Sequence, residues 1–306
     1  MQPKITCIIC TFNRAELLKR AIKSVIAQEF PEWELLVVDD NSTDHTAEVV
    51  SRIQEIDRRV KYLCNPKKGL PSARNHGIAA AKGKYIAFLD DDDISLPHRF
   101  EAQYQAMRNS GCGFLVSGYQ VRNAHTGAIL SEHKLELKTL GAGFPSRWMV
   151  KKQLLDAIDG FDESYASMED IECSYRLTQH GHFSQHNSIV TIMYETPGSM
   201  STNIEANIIG REKLLEKHAA IMPPVEAAWW HYTTALDYYR LKNRKAAAIH
   251  FKKAAQLDNR QLYSIAYAFF SITGFLDRPL RRLNRKILNG LRDFRYPNEV
   301  EHPVLD

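Results

Sequence analysis

Residues 5–26 read ITCIICTFNRAELLKRAIKSVI, and the change of period inside this stretch decides the architecture. Ile5 to Cys10 is a continuous apolar run without alternation, as expected of a strand buried on both faces of a parallel sheet. Thr11-Phe12-Asn13-Arg14 is a turn, after which Leu17, Leu18, Ala21, Ile22, Val25 and Ile26 recur at helical spacing. Asn13 with Glu16 three residues later predicts a helix N-cap at Asn13. Strand, polar turn and helix in this order form the repeating unit of an α/β fold.

Working outward, the unit recurs. A strand from Glu34 to Val38 ends in Asp39-Asp40-Asn41-Ser42, with a helix expected to restart after Ser42 or Thr43 as its cap. Further strands are expected at Val60–Leu63, Tyr85–Leu89 and Phe114–Tyr119, and helices at about Ser72–Ala81 and Pro97–Arg108. The alternation runs to about Met193 and predicts a mostly parallel central sheet with helices on both faces. Ligands of such sheets bind beyond the carboxyl ends of the strands, so the polar residues gathered there are the first candidates.

The 306 residues are 44% apolar and 25% charged, which excludes a disordered or fibrous chain. The length fits one catalytic domain, expected over residues 1–204, with a smaller region over 205–306. The N-terminus lacks an apolar segment followed by small residues, so no secretory signal is read and a cytoplasmic location is expected. Cys7 and Cys10 have C-x-x-C spacing, but residues three apart on a strand face opposite ways. They read as core packing, and all five cysteines as reduced thiols.

The chemistry concentrates in Phe88-Leu89-Asp90-Asp91-Asp92-Asp93. Four consecutive carboxylates after a buried strand repel one another, which calls for a positive partner. A hard divalent cation, Mg²⁺ or Mn²⁺, held by one or two carboxylates and a diphosphate, meets that need. The alternative is a solvated acidic turn capping the next helix.

The T-F-N-R turn at 11–14, V-V-D-D-N-S-T-D at 37–44, G-L-P-S-A-R-N-H-G-I at 69–78 and F-L-D-D-D-D at 88–93 occur in that order. Together they resemble the family-2 inverting glycosyltransferases with a GT-A fold, over residues 4–201. The resemblance implies transfer of a sugar from a nucleotide-sugar donor, UDP-linked in the first instance, to an acceptor hydroxyl. It implies that Thr11, Phe12 and Asp39 hold the base and ribose, that Asn13 and Asp40 belong to the same nucleotide-sugar site, and that Arg74 neutralises the diphosphate. Asp90 and Asp91 would reach ribose and donor sugar, and Asp92 would ligate the metal. Met168-Glu169-Asp170 matches the family's acceptor-side acidic pair, which makes Asp170 the general base and Glu169 a positioning group, with Arg176 as an ionic partner on the same helix. An acidic helix N-terminus stabilised by the macrodipole would show the same residue types. The family's Y-R-x-H-like segment is here Tyr194-Glu195-Thr196-Pro197, without Arg or His.

Beyond Ile204 strand signals stop. Ala235, Tyr238, Ala247, Phe251 and Ala254 around a Lys242-Asn243 turn resemble one tetratricopeptide helix pair at about 228–258, either docked on the catalytic domain or offering a face to a protein partner or second copy. Tyr263 to Leu276 is an apolar run of 14 residues, too short to span a bilayer, and Arg278, Arg281, Arg282, Arg285 and Lys286 follow it. This amphipathic basic tail, about 262–290, suits peripheral attachment to an anionic membrane surface or packing on the protein itself. The expected acceptor is a glycan or lipid-linked sugar of cell-surface polysaccharide or lipopolysaccharide synthesis; nucleic acid is not an expected partner. Two other readings stay open: a non-catalytic scaffold acting through the helical tail, and a sugar nucleotidyltransferase, although the 11–14 turn lacks that class's glycines.

Overall fold

The computed structural model describes residues 2–134, 142–195 and 203–258. The apolar tail, the basic segment after it and the Thr196–Ser201 part of the departing segment lie outside the described residues. The chain divides into two compact units, with residues 2–134 and 142–195 in the first and 203–258 in the second.

The first unit is built on nine strands. Strands β1 (Ile5–Thr11), β2 (Trp33–Asp39), β3 (Val60–Cys64) and β4 (Tyr85–Phe88) are parallel neighbours in the order β3-β2-β1-β4. Past β4 the sheet is mixed: β8 (Trp148–Lys151) runs antiparallel to β4 and to β6 (Phe114–Asn123). Strand β6 pairs in parallel with β9 (Phe183–Glu195) and antiparallel with β7 (Ile129–His133), and β5 (Ile94–Ser95) closes the far edge on β9.

Helices cover both faces because the strands are apolar on both. Ile5, Cys7 and Ile9 pack with residues of α1 (Ala15–Ile26), α2 (Thr46–Ile56) and α4 (Arg99–Ser110). Ile8 and Phe88 pack on the other face with α3 (Leu70–Ala80), α5 (Lys152–Ala157) and α6 (Glu169–His180). Cys7 belongs to one layer and Cys10 leans on the other, as strand alternation requires, and all five cysteines are free.

Two cap expectations are corrected. Asn13 does not cap α1: its φ is +53°, and its Oδ1 accepts from the N–H groups of Thr43 (2.7 Å) and Asp44 (3.3 Å). The cap comes from another loop, Asp44 Oδ2 accepting from Ala15 N at 3.1 Å, while Asp44 Oδ1 accepts from Thr46 N at 3.0 Å. One carboxylate therefore serves the first turns of both α1 and α2, and α2 starts at Thr46 rather than after Ser42 or Thr43. Ser42 is instead folded back on Asp39, donating its N–H to Oδ1 at 2.9 Å.

The second unit holds α7 (Ile204–Lys217), α8 (Pro224–Arg240) and α9 (Arg244–Leu257). Ala228, Tyr232, Ala235, Ala247, Phe251 and Ala254 form the α8–α9 seam, and Asn203 and Asn243 cap α7 and α9. Among the described residues no helix is long and apolar enough to cross a membrane.

Candidate active site

Strands β2, β1 and β4 are adjacent and parallel, with Thr11 beside Asp39, so their carboxyl ends open on one side of the sheet. The chain leaves β4 through Leu89, whose N–H still reaches Ile8 O at 3.0 Å, and turns tightly where Asp93 N donates to Asp90 O at 3.1 Å. That turn carries the four carboxylates.

Their charge is met largely by the protein itself. Arg14 Nη1 donates to Asp91 Oδ1 at 3.1 Å and Asp92 Oδ2 at 3.3 Å, and Arg20 Nη2 donates to the Asp92 carbonyl at 2.6 Å. Arg74 Nη2 reaches Asp90 Oδ1 at 3.3 Å, and Thr11 Oγ1 donates to Asp91 Oδ2 at 2.8 Å. Fully buried Arg99 lies behind the turn, its Nη2 donating to the carbonyls of Phe88 (2.8 Å) and Trp148 (3.2 Å). Fixed arginines thus pair with three of the four carboxylates, Arg14 with Asp91 and Asp92 and Arg74 with Asp90. Burial nevertheless pushes Asp91 up to about 6, ahead of the opposing pull of Arg14 and Thr11. Asp93, buried beside Asp90, is raised well above the carboxylate range, and its Oδ2 has no hydrogen-bond partner among the described residues.

Among the described residues no three His, Cys, Asp or Glu side chains stand ready to hold a metal. A cation of the Mg²⁺ class needs less, since one or two carboxylates suffice when substrate phosphates supply the remaining oxygens. The partly exposed carboxylates of Asp90 and Asp92, both oxygen donors on one turn, fit a cation shared with a diphosphate.

On the β2 side most acceptor capacity is already engaged. Asp39 is buried; its Oδ1 takes the Ser42 N–H and hydroxyl, and its Oδ2 takes the Tyr62 hydroxyl. An ionised carboxylate has about four lone-pair sites, so Asp39 keeps about one for a ligand. Asp40 accepts from Asn65 Nδ2 (2.7 Å) and Gly69 N (2.9 Å), which ties it to the start of α3. Phe12, by contrast, is 54% exposed and presents an apolar face.

Arg74 links the acidic turn to the acidic pair at the start of α6. It is 3% exposed, and its Nη1 meets Glu169 Oε1 at 2.7 Å while Nη2 meets Asp90. Asp170 follows at the N-terminus of α6, its Oδ2 accepting from Phe144 N (2.9 Å) and Oδ1 from Ile171 N (2.7 Å). Burial and the Glu169 charge push Asp170 up to about 6, against the pull of Arg74. The preceding Met168 has φ +71°. Gly160 (φ +66°) lies so close to Asn75 that a Cβ would stand 2.3 Å from Asn75 Oδ1, and that Oδ1 accepts from Phe161 N. Arg176 pairs with neither Glu169 nor Asp170. It forks onto buried Glu172 (2.8 and 2.6 Å) and donates to the Ile158 and Gly160 carbonyls, because one further helical turn points it towards that loop.

The fold thus brings Thr11, Arg74, Asp90, Asp91, Asp92, Glu169 and Asp170 into one connected network, while Asn13, Asp39 and Asp40 bind the loops around it. Sequence reasoning assigned no role to Arg14, Arg20, Asp44 or Ser146, whose Oγ accepts from Asp90 N at 2.9 Å. Arg14 carries a signal within the T-F-N-R turn; Ser146, 56 residues away from its partner, carries none.

Residues 6–168 match the model of glycosyl transferase family 2, and the chain belongs to that family. A relative in Campylobacter jejuni, GalNAc(5)-diNAcBac-PP-undecaprenol beta-1,3-glucosyltransferase, is 46% identical over 93 residues, 30% of this chain and 30% of the relative. The Escherichia coli protein WfgD, a UDP-Glc:alpha-D-GlcNAc-diphosphoundecaprenol beta-1,3-glucosyltransferase, is 34% identical over 146 residues, 45% of this chain and 57% of the relative. The chain therefore spans between about a third and three-fifths of these relatives' length. Two solved structures share the GT-A fold at low identity. The mannosyltransferase PcManGT from Pyrobaculum calidifontis, in complex with GDP-Man and Mn²⁺, matches with a TM-score of 0.60 at 16% identity over 96% of this chain and 89% of its own. S. aureus TarS 1-349 in complex with UDP-GlcNAc matches with a TM-score of 0.57 at 16% identity over 94% and 80%.

Proposed function

We propose that this glycosyltransferase moves a sugar with inversion from a nucleoside-diphosphate sugar, UDP-linked in the first instance, to a hydroxyl of a lipid-linked or lipopolysaccharide-type glycan. The observation that carries this reading is the Arg74 bridge between Asp90 and Glu169, which joins the acidic turn to the carboxylate next to Asp170. Donor and acceptor chemistry then share one site. The names of the Campylobacter and Escherichia relatives support a diphosphate-linked, polyprenol-borne acceptor and a glucosyl donor.

In this reading Phe12 offers its exposed face to the base, and Thr11, Asn13, Asp39 and Asp40 shape the base and ribose pocket. Asp90 and Asp91 meet ribose and donor sugar, and Arg74 offsets the diphosphate charge. A divalent cation, Mn²⁺ or Mg²⁺, held by Asp92, supplies Lewis-acid stabilisation of the departing diphosphate when bound. Asp170 takes the proton from the attacking hydroxyl on the face opposite the leaving group. A carboxyl raised to about 6 is still mostly ionised at neutral pH and is a stronger proton acceptor than an ordinary carboxylate. Glu169 positions acceptor and base. The catalytic unit is assigned to residues 1–204, and the basic segment 278–286 to reversible attachment at an anionic membrane face.

Thermal shifts of the purified protein against a panel of UDP-, GDP- and dTDP-sugars, with and without Mn²⁺, test the reading, because a ligand of the native state raises stability by mass action. A metal-dependent rise with at least one nucleotide-sugar is expected. No rise with any of them would leave the site without a donor and overturn the proposal.

A further inference from the structure

Phe144 has no part in the donor chemistry, yet it occupies a costly position. Its φ is +62°, a conformation that an aromatic residue adopts at about 1–3 kcal/mol. The strained backbone is held by its own N–H on Asp170 Oδ2 (2.9 Å) and by Arg147 N donating to its carbonyl (3.3 Å). Such strain commonly tucks a side chain into the core, but here the ring stays 46% exposed. It leans on Tyr119 at 5.7 Å between centroids, and Tyr119 stacks on His133 at 4.6 Å and 14°. Three rings from three segments thus pack as one aromatic wall, in which Tyr119 is covered by His133 and Phe144 keeps an exposed ring beside the N–H that holds Asp170.

Arg147 lies against that wall. It is 5% exposed, with its guanidinium 5.0 Å from the Tyr119 ring centroid and 5.8 Å from that of Phe144. Its Nε donates to the Gly143 carbonyl, while Nη1 and Nη2 make no hydrogen bond among the described residues. An unengaged guanidinium N–H is a donor that a ligand oxygen can take. An apolar face with a guanidinium at its margin matches a pyranose, whose axial C–H groups stack on aromatic rings and whose hydroxyls accept hydrogen bonds.

We propose that the exposed Phe144 ring, backed by the Tyr119–His133 stack, is the stacking wall for the acceptor pyranose, with Arg147 donating to one of its hydroxyl oxygens, so that a neighbouring hydroxyl meets Asp170. This rests on the assignment of Asp170 as base, and it makes Phe144 a determinant of acceptor affinity that leaves donor binding alone. The Phe144 N–H fixes Asp170 and the Phe144 ring fixes the substrate, so one residue registers the two against each other.

Saturation-transfer NMR of the full chain with Mg²⁺ and UDP tests this, using the methyl pyranosides of glucose, galactose, N-acetylglucosamine and N-acetylgalactosamine as probes. At least one glycoside should receive saturation, strongest on the C–H protons of one ring face. Phe144→Ala should reduce that transfer at least fivefold, and Phe144→Tyr, which keeps a flat ring, should retain it. UDP affinity, read by calorimetry, should be the same in all three proteins. If wild type binds UDP and no pyranoside, or Phe144→Ala binds the glycoside as wild type does, the wall is not an acceptor subsite. Parallel loss of UDP and glycoside binding in Phe144→Ala would make Phe144 a structural residue and overturn the inference. Wild type that binds glycoside but not UDP leaves the wall standing and refutes the donor reading instead.

Discussion

Replacing Arg74 by methionine tests the network at its centre, because an unbranched apolar chain keeps much of the volume and removes the charge. Arg74 is 3% exposed and bridges Glu169 at 2.7 Å and Asp90 at 3.3 Å. Deleting one partner of a buried ion pair costs about 3–5 kcal/mol, mostly through the charge left behind. The two partners do not contribute equally: the Asp90 side chain is 37% exposed and can be rehydrated, whereas that of Glu169 is 10% exposed and cannot. The loss should therefore fall near the lower bound, about 3 kcal/mol at pH 7. Its pH dependence follows in sign. Protonation removes a stranded negative charge, so the gap between mutant and wild type should be smaller at pH 5 than at pH 8. Arg74 also pulls Asp170 down, so the mutant's Asp170 should titrate above its present value of about 6. Urea unfolding of both proteins at pH 5 and pH 8 gives the two gaps directly. A loss below about 1 kcal/mol at pH 8, or an equal loss at both pH values, would refute the claim that Arg74 offsets buried carboxylate charge.

Asp92→Asn should abolish the Mn²⁺-dependent part of UDP affinity while leaving the fold intact; calorimetry with and without Mn²⁺ reads this, and unchanged metal dependence removes Asp92 from the site. Asp170→Asn should lower kcat by about 10²–10⁴ with donor affinity nearly unchanged, whereas equal loss of donor binding would mark a structural role. In wild type, kcat/KM should rise with pH and level off above about 6, the region to which burial and Glu169 push Asp170; a flat profile between pH 5 and 7 contradicts the assignment. Truncation after Asn259 should abolish low-salt cosedimentation with anionic liposomes, since each basic residue near such a surface contributes on the order of 1 kcal/mol. Indifference of the full chain to those liposomes defeats the membrane reading.

The period change at residues 5–26 determined much about this protein by itself. An unbroken apolar run must be covered on both faces, and Leu18, Ala21, Ile22 and Val25 supply one of the covers, so β1, α1 and the parallel neighbours β2, β3 and β4 were legible from local pattern alone. The helix pair around Lys242-Asn243 was legible for the same reason, since small residues at helical spacing on two adjacent segments can bury only each other. The acidic run, too, stood out in the sequence through its density of like charge.

Sequence could not say how that charge is balanced. Arg14, Arg20 and Arg74 reach the run from outside it, Arg14 across 78 residues, and Arg99 lies behind it; the motifs that mark Arg14 and Arg74 do not say that a carboxylate of the run is the partner. Asn13, Ser42 and Thr43 carried ordinary capping signals, but the tertiary fold set two strand-end loops side by side, and longer-range bonds displaced the local ones. Arg176 pairs one helical turn back with Glu172, the i−4 carboxylate that helical spacing favours over Glu169 and Asp170, and carbonyls of another loop take its remaining donor. Phe144 is the clearest case. Its strain, its exposed ring and its bond to Asp170 all depend on where β6, β7 and the start of α6 converge, a placement set by packing across the mixed half of the sheet and invisible to any local period.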